Sequence, residues 1–411
     1  MSSGRSRRLT AATVTACATL AAAAALTATI ASDASASPAS TSSTATSSTA
    51  PSGTPTSGTA TSGTATSGGV TNPYSPAYGH PYRHGVVPTR ELNTQMNRWV
   101  AQTKGARPMQ GKTLSYGGGV DGIGVTSGAP EKVYLVFYGS QWGTQGTDAG
   151  GNATFTGDPK AGAPMVQKLF KGLGTGGESW SGVMTQYCDG PLVAKGATSC
   201  PSGAAHVLYP TGGALAGVWY DPSTPSPSNA TAKQLGDEAV RAAAHFGNTT
   251  AASNRQAQYV VLSPTGTHPD GFNTASGQFC AWHDDNGDPY VGSSSAYGDI
   301  AFTNMPYVMD MGTSCGQNFV NAGSAGIDDG YTIVEGHEYA ETITDQNPAG
   351  GWTNTTSRTY TGQENADECA WISPGSAGGA GNVSTTAGSF AMQATWSNDT
   401  NRCDLSHSTV S

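Results

Sequence analysis

Six consecutive apolar residues, Val133-Tyr134-Leu135-Val136-Phe137-Tyr138, constrain the fold more than any other stretch of this chain. Strand side chains alternate between two faces, so an uninterrupted apolar run requires cover on both of them. Tyr259-Val260-Val261-Leu262 has the same character. His206-Val207-Leu208-Tyr209, closed by Pro210, and Ile300-Ala301-Phe302 read as further strands. Between them, Leu235, Ala239, Ala242 and Phe246 recur at helical spacing, which predicts an amphipathic helix over 231–246. Met165 to Phe170 and Trp180 to Tyr187 are short helical stretches. Residues 327–345 form the next helix, with Asp328 and Asp329 suited to its positive end. Strands alternating with helices predict an α/β fold, with a mixed, mostly parallel central sheet and flanking helices. The 56 glycines imply loop-rich connections. Phe390 to Trp396 alternates apolar and polar, as a late edge strand would.

Residues 1–36 have the layout of a signal peptide. Arg5, Arg7 and Arg8 precede an alanine-rich apolar run from Ala11 to Ile30, and Ala34-Ser35-Ala36 offers a cleavage site. Residues 37–71 are a Ser/Thr/Gly/Ala-rich linker that cannot bury enough surface to offset the entropy of ordering it. Residues 72–130 are weakly patterned and read as a lead-in or pro-segment. Residues 131–411 are expected to form the α/β domain. No later segment approaches the ~20 apolar residues needed to span a bilayer.

Removing the leader takes three of 19 Lys and Arg and one of 28 Asp and Glu, leaving 16 against 27, a net charge of −11. That balance excludes nucleic acid and anionic membrane as partners, since both require a basic face. It also removes Cys17. The six remaining cysteines read as three disulfides of an exported protein, expected as Cys188–Cys200, Cys280–Cys315 and Cys369–Cys403.

A chain with only 11% charged residues places five of its nine glutamates within one 34-residue stretch. The run is Glu335-Gly336-His337-Glu338-Tyr339-Ala340-Glu341, followed by Glu364-Asn365-Ala366-Asp367-Glu368-Cys369. Positions i and i+4 share a helix face, so His337 and Glu341 can hold one ion together. Glu338 beside them is placed like the general base of the H-E-x-x-H helix of zinc peptidases, although Glu replaces the second His here. Glu364 is the natural third ligand. Asp367 is its substitute, or the supporting carboxylate that receives the other imidazole N–H; Glu364 could also take that part. The ion expected is Zn2+, with Mn2+ or Ca2+ made more credible by the extra oxygen ligand. With eight His and nine Glu in 411 residues, H-E-x-x-E should arise by chance about 0.004 times.

Other patterns compete. Gly312-Thr313-Ser314-Cys315-Gly316 matches the nucleophile elbow of a serine hydrolase, which needs a strand before it, a helix after it and a late base such as His337 or His407. Asp284-Asp285-Asn286-Gly287-Asp288 has the flavour of a calcium loop but lacks the closing Glu, so it reads first as a surface turn. His206, His245 and His283 read as isolated structural imidazoles. Trp142, Trp180, Trp219, Tyr220, Trp352 and Trp371 are either sugar-stacking platforms or ordinary core.

The chain resembles the EXORDIUM, or phosphate-induced, family of secreted proteins from about Leu114 to Trp396. The resemblance includes Leu114-Ser115-Tyr116-Gly117-Gly118, Val133 to Tyr138 ending in Gly139, and Tyr259 to Leu262 followed by the segment from Gly271 to His283. Most specific are His337-Glu338-Tyr339-Ala340-Glu341, Thr344-Asp345, Trp352 and the run from Glu364 to Cys369. Tyr339 stands where the family usually carries an aliphatic residue. The resemblance implies an extracellular, cell-wall-facing protein and does not itself supply a reaction.

Together these readings predict a secreted metal-dependent hydrolase, most simply a zinc peptidase-like enzyme. Glu338 would be catalytic, and His337, Glu341, Glu364 and Asp367 would surround the ion. Its partner would be an extracellular peptide or cell-wall polymer. The alternatives are a non-catalytic cell-wall or carbohydrate-binding protein with a structural metal, and a serine hydrolase using Ser314.

Overall fold

The computed structural model describes residues 72–103, 111–355, 357 and 359–411. The signal peptide and all of the linker lie outside the described residues. The six sheet strands are β1 (His84–Pro88), β2 (Lys132–Tyr138), β3 (Leu215–Asp221), β4 (Ala257–Leu262), β5 (Phe279–Asp285) and β6 (Ala301–Met305). They lie in the order β1-β5-β6-β4-β2-β3. The four strands β6, β4, β2 and β3 run parallel, whereas β5 is antiparallel to both β6 and β1. This is the expected mixed, mostly parallel sheet. Among the described residues, no helix is long and apolar enough to cross a membrane.

The helices are α1 (Arg90–Thr103), α2 (Gly162–Gly172), α3 (Ala232–His245), α4 (Ala251–Asn254) and α5 (Asp329–Thr344). The start of α3 is fixed by a capping box between Thr231 and Gln234, which satisfies two otherwise orphaned N–H groups. Strand alternation separates the two faces. Tyr134 stacks on Tyr259 and packs on Phe246, at the end of α3. Phe137, of opposite parity, meets Trp142 and Phe155 on the other face. Phe170 of α2 meets Tyr339 of α5, so those two helices pack together. The apolar run is thus covered on both sides, and Val133, Leu135, Val136 and Phe137 are fully buried.

Three expectations need correction. The sheet strand after β2 is Leu215–Asp221, not His206–Tyr209; Ala205–His206 makes only a two-residue pairing with Cys188–Asp189. Leu208 is solvent-exposed, and Pro210 has no N–H to extend a ladder. The Phe390–Trp396 stretch is not an edge of this sheet. Gly388–Met392 pairs with Gly381–Thr385 in a hairpin, and Thr395–Ser397 pairs with Arg402–Asp404. Finally, a boundary at residue 131 would cut through the sheet, because β1 comes from the lead-in. Just before β1, Arg83 makes a buried ion pair of 2.7 Å with Asp270 and donates to the Asp270 carbonyl.

All three expected disulfides are present, with Cα–Cα separations of 6.0 Å for Cys188–Cys200, 5.7 Å for Cys280–Cys315 and 5.7 Å for Cys369–Cys403. Of the aromatic residues weighed as sugar platforms, Trp142, Trp180 and Trp352 are core, while Trp219 and Tyr220 are half-buried on the edge strand β3.

Candidate metal centre

Every residue of α5 is buried, although the helix carries three glutamates and a histidine between Glu335 and Glu341. An all-round buried helix is ordinarily apolar, because an isolated carboxylate away from water is costly. Asp329 lies in the first turn of the helix, at its positive end as expected, and its carboxylate accepts the backbone N–H groups of Val320 and Asn321. The acidic side chains of α5 therefore call for a local explanation.

His337 and Glu341 project toward one point, with Nε2 and Oε2 2.9 Å apart. Neither atom has a partner in hydrogen-bond geometry. Asp367 Oδ1 lies 3.6 Å from the same nitrogen. The other oxygen of Glu341 accepts the Asp367 N–H at 2.8 Å, which ties the acidic loop to the helix. Asn365 reinforces that tie by donating to the Ala340 carbonyl and to Thr344 Oγ1. The Cys369–Cys403 bridge closes the loop just beyond it.

Asp367 therefore takes the position expected of Glu364 in the group with His337 and Glu341. Glu364 stands against a residue read from the sequence as merely structural: its Oε2 is 3.3 Å from His283 Nε2, and both side chains are buried. His283, Glu338 and Glu341 bring ligand atoms within 4.8 Å of one another, so Glu341 belongs to both groups. His283 comes from β5, where alternation directs it to the α5 face. Nothing in its local sequence flags it, because its partners lie in a different element.

The second nitrogen of His337 was expected to face a carboxylate, but Nδ1 lies 3.1 Å from Gln393 Oε1. The Gln393 amide donates in turn to the Ala366 carbonyl at 2.8 Å, which fixes its orientation. When neutral, an imidazole donating from Nδ1 presents Nε2 as a lone pair to the cluster.

Gly85 of β1 closes the opposite side with φ of +50°, a conformation that glycine adopts readily. A Cβ there would collide with the Glu341 carboxylate and lie 2.6 Å from the His283 ring.

The electrostatics follow from burial. It pushes Glu338 and Glu364 well above the ordinary carboxylate range. Burial also raises Glu341 to about 7, with Asp367 adding to the rise and His337 opposing it. Burial alone would lower His337, but Glu341, Asp367 and Glu338 hold it well above its usual value. His283 is driven well below its usual value by burial and by His84 and His337, so it stays neutral, the ligating form.

Zinc bonds of 2.0–2.1 Å in a tetrahedron separate ligand atoms by about 3.3 Å. The spacings of 2.9, 3.3 and 3.6 Å fall around that value. Unpartnered atoms remain on His283, His337, Glu338, Glu341 and Glu364. The residues fit a divalent cation.

The rival sites look different. Ser314 lies in a 3-10 segment, Val308–Cys315, and not between a strand and a helix, and Cys315 is bridged to Cys280. His407 Nδ1 faces the Ser408 carbonyl, and His337 belongs to the cluster. The Asp284–Asp288 segment is not a simple surface turn, because Asp284 and Asp285 end β5 and are buried. His206 contacts the Thr185 carbonyl, and His245 stacks on Trp219, so both are structural as expected. No family model, curated protein or solved structure matches this chain.

Proposed function

We propose that this chain is a secreted metal-dependent hydrolase with metallopeptidase-like chemistry. The observation that carries this reading is the surplus of buried, unpartnered ligand atoms around Glu341, more than one ion needs. His337, Glu341, Asp367 and His283 would hold the ion. Once those four residues are assigned to the ion, Glu338 is left beside them with both oxygens unpartnered, in the position of a general base. Two imidazoles among the ligands favour Zn2+ over Ca2+.

When bound, the ion would supply a polarised carbonyl and a water of lowered pKa. Glu338 would take the water's proton and return it to the leaving group. Glu364, against the same His283 nitrogen, would be a further ligand, and Gln393 would orient His337. The three disulfides fit an exported protein. The resemblance of the His337–Glu341 and Glu364–Cys369 segments to the EXORDIUM family supports an extracellular peptide or cell-wall polymer as substrate.

One observation favours a second reading, a catalytically silent wall-associated protein with a structural metal. The cluster is closed, and its only solvent-touching side chain is Asp367, at 11% exposure. The two readings separate in one experiment, pairing elemental analysis with turnover of casein, peptides and wall polymers. Under the hydrolase reading, Glu338→Gln keeps its metal and loses turnover, whereas Glu341→Gln loses both. Bound metal without turnover on any substrate selects the structural reading. Purified protein without bound metal, and unable to take it up, sinks both.

A further inference from the structure

We infer that this chain binds a second divalent cation through His84, Asp284 and Asp288, where β1 meets the end of β5. The three side chains bring ligand atoms within 4.8 Å of one another. His84 Nε2 and Asp288 Oδ2 are 3.7 Å apart. That is too long for a hydrogen bond, but close to the spacing of two ligands on one ion.

Each carboxylate is held by one oxygen and leaves the other free. Asp288 Oδ1 accepts the Tyr290 N–H at 2.6 Å, while Oδ2 faces the imidazole. Asp284 Oδ1 accepts the Asp285 N–H at 2.8 Å, and its Oδ2 is buried with no partner. Asp284 is fully buried, and a buried carboxylate oxygen without a donor is costly unless a cation compensates it. Among the ion pairs of the described residues, the only cationic partner of this group is His84 itself. Asp285 and Asp299 add to the negative field, and Asp299 is occupied by an Asn347 N–H.

This site shares no ligand with the first centre. Successive residues of β5 point to opposite faces, so Asp284 turns away from His283. It is also shallower, with His84 and Asp288 side chains 26% and 16% exposed. One imidazole, two carboxylates and access to water suit an exchangeable Zn2+ or Mn2+ ion rather than a sealed one.

The test is equilibrium dialysis of the full chain against buffered free Zn2+, followed by elemental analysis. Asp288→Asn and His84→Gln should each bind one equivalent fewer than the wild type. The affinity for that equivalent should fall at least about tenfold, the loss that changes behind the ligands alone can cause. Glu341→Gln should lose zinc from the first centre and keep this equivalent, so the two sites fail separately. Wild-type zinc content in both Asp288→Asn and His84→Gln, at every free concentration, would overturn the proposal. Both positions are partly exposed, and circular dichroism identifies which variant is folded; either folded variant decides the question.

Discussion

Stripping the proposed metal from the His337/Glu341 centre should make the fold fragile to alkali, and the sign follows from the buried carboxylates. Glu341 sits at about 7 in the folded protein without metal, against an ordinary 4.5. Between those values the folded state holds a proton that the unfolded chain has released, so stability declines as pH rises. That rise corresponds to about 3 kcal/mol, fully lost above pH 7. Glu338, Glu364 and His337 are also held above their ordinary values and act in the same direction. His283 acts oppositely, because its value is lowered, but that gain is complete once pH passes its ordinary 6.5. Between pH 6.5 and 8, each group still protonated in the fold removes about 1.4 kcal/mol per pH unit. The Glu341 contribution alone is a large share of a typical stability of about 5–15 kcal/mol. Metal displaces these protons, so the loaded protein should lack the decline. Urea denaturation at pH 6.5, 7.25 and 8, with and without chelator, measures both slopes. A chelated protein whose stability is flat or rising over that range would refute the reasoning, as would a chelator without effect at any pH.

Three further outcomes are expected. Gly85→Ala should weaken metal binding at least about tenfold by pushing on Glu341 and His283, and cost roughly 1–2 kcal/mol from its left-handed backbone, read by zinc titration and thermal melting. Gln393→Ala should lower metal affinity about 10–100-fold with the fold intact by circular dichroism, because it frees the His337 ring without removing a ligand; unchanged affinity would deny Gln393 its positioning role. Glu131, far along the chain from the centre, is lifted by burial to about 8, so Glu131→Gln should remove a decline in stability between pH 4.5 and 8, checked by denaturation across that range in the presence of metal.

The architecture was legible wherever the chemistry was local. The apolar runs of β2 and β4 declare burial on both faces, and the i, i+4 spacing of His337 and Glu341 is a property of one helix. What escaped depended on distant partners. β3 was missed because it is a half-exposed edge strand interrupted by Gly217, where a Cβ would lie 2.6 Å from Phe246. β1 was missed because five residues containing His, Gly and Pro show no strand pattern until β5 supplies one. His283 was dismissed because a lone imidazole gains meaning only from Glu364, Glu338 and Glu341. The exchange of Glu364 for Asp367 beside His337 follows from the Glu341 bond to the Asp367 N–H, which spacing cannot foresee.

The strand carrying Gly85 leaves the ribosome before any of the residues it covers. Its hydrogen-bonding partner, β5, arrives much later, and the Glu364–Asp367 loop later still. Until then β1 is an orphan edge, exposed to pairing with other chains, and Pro88 at its end limits that hazard by withholding one donor. The cluster around Glu341 is complete only when synthesis is nearly finished, so the proposed ion would enter late in maturation, and a chain truncated before Asp367 would be left with an unfinished lock.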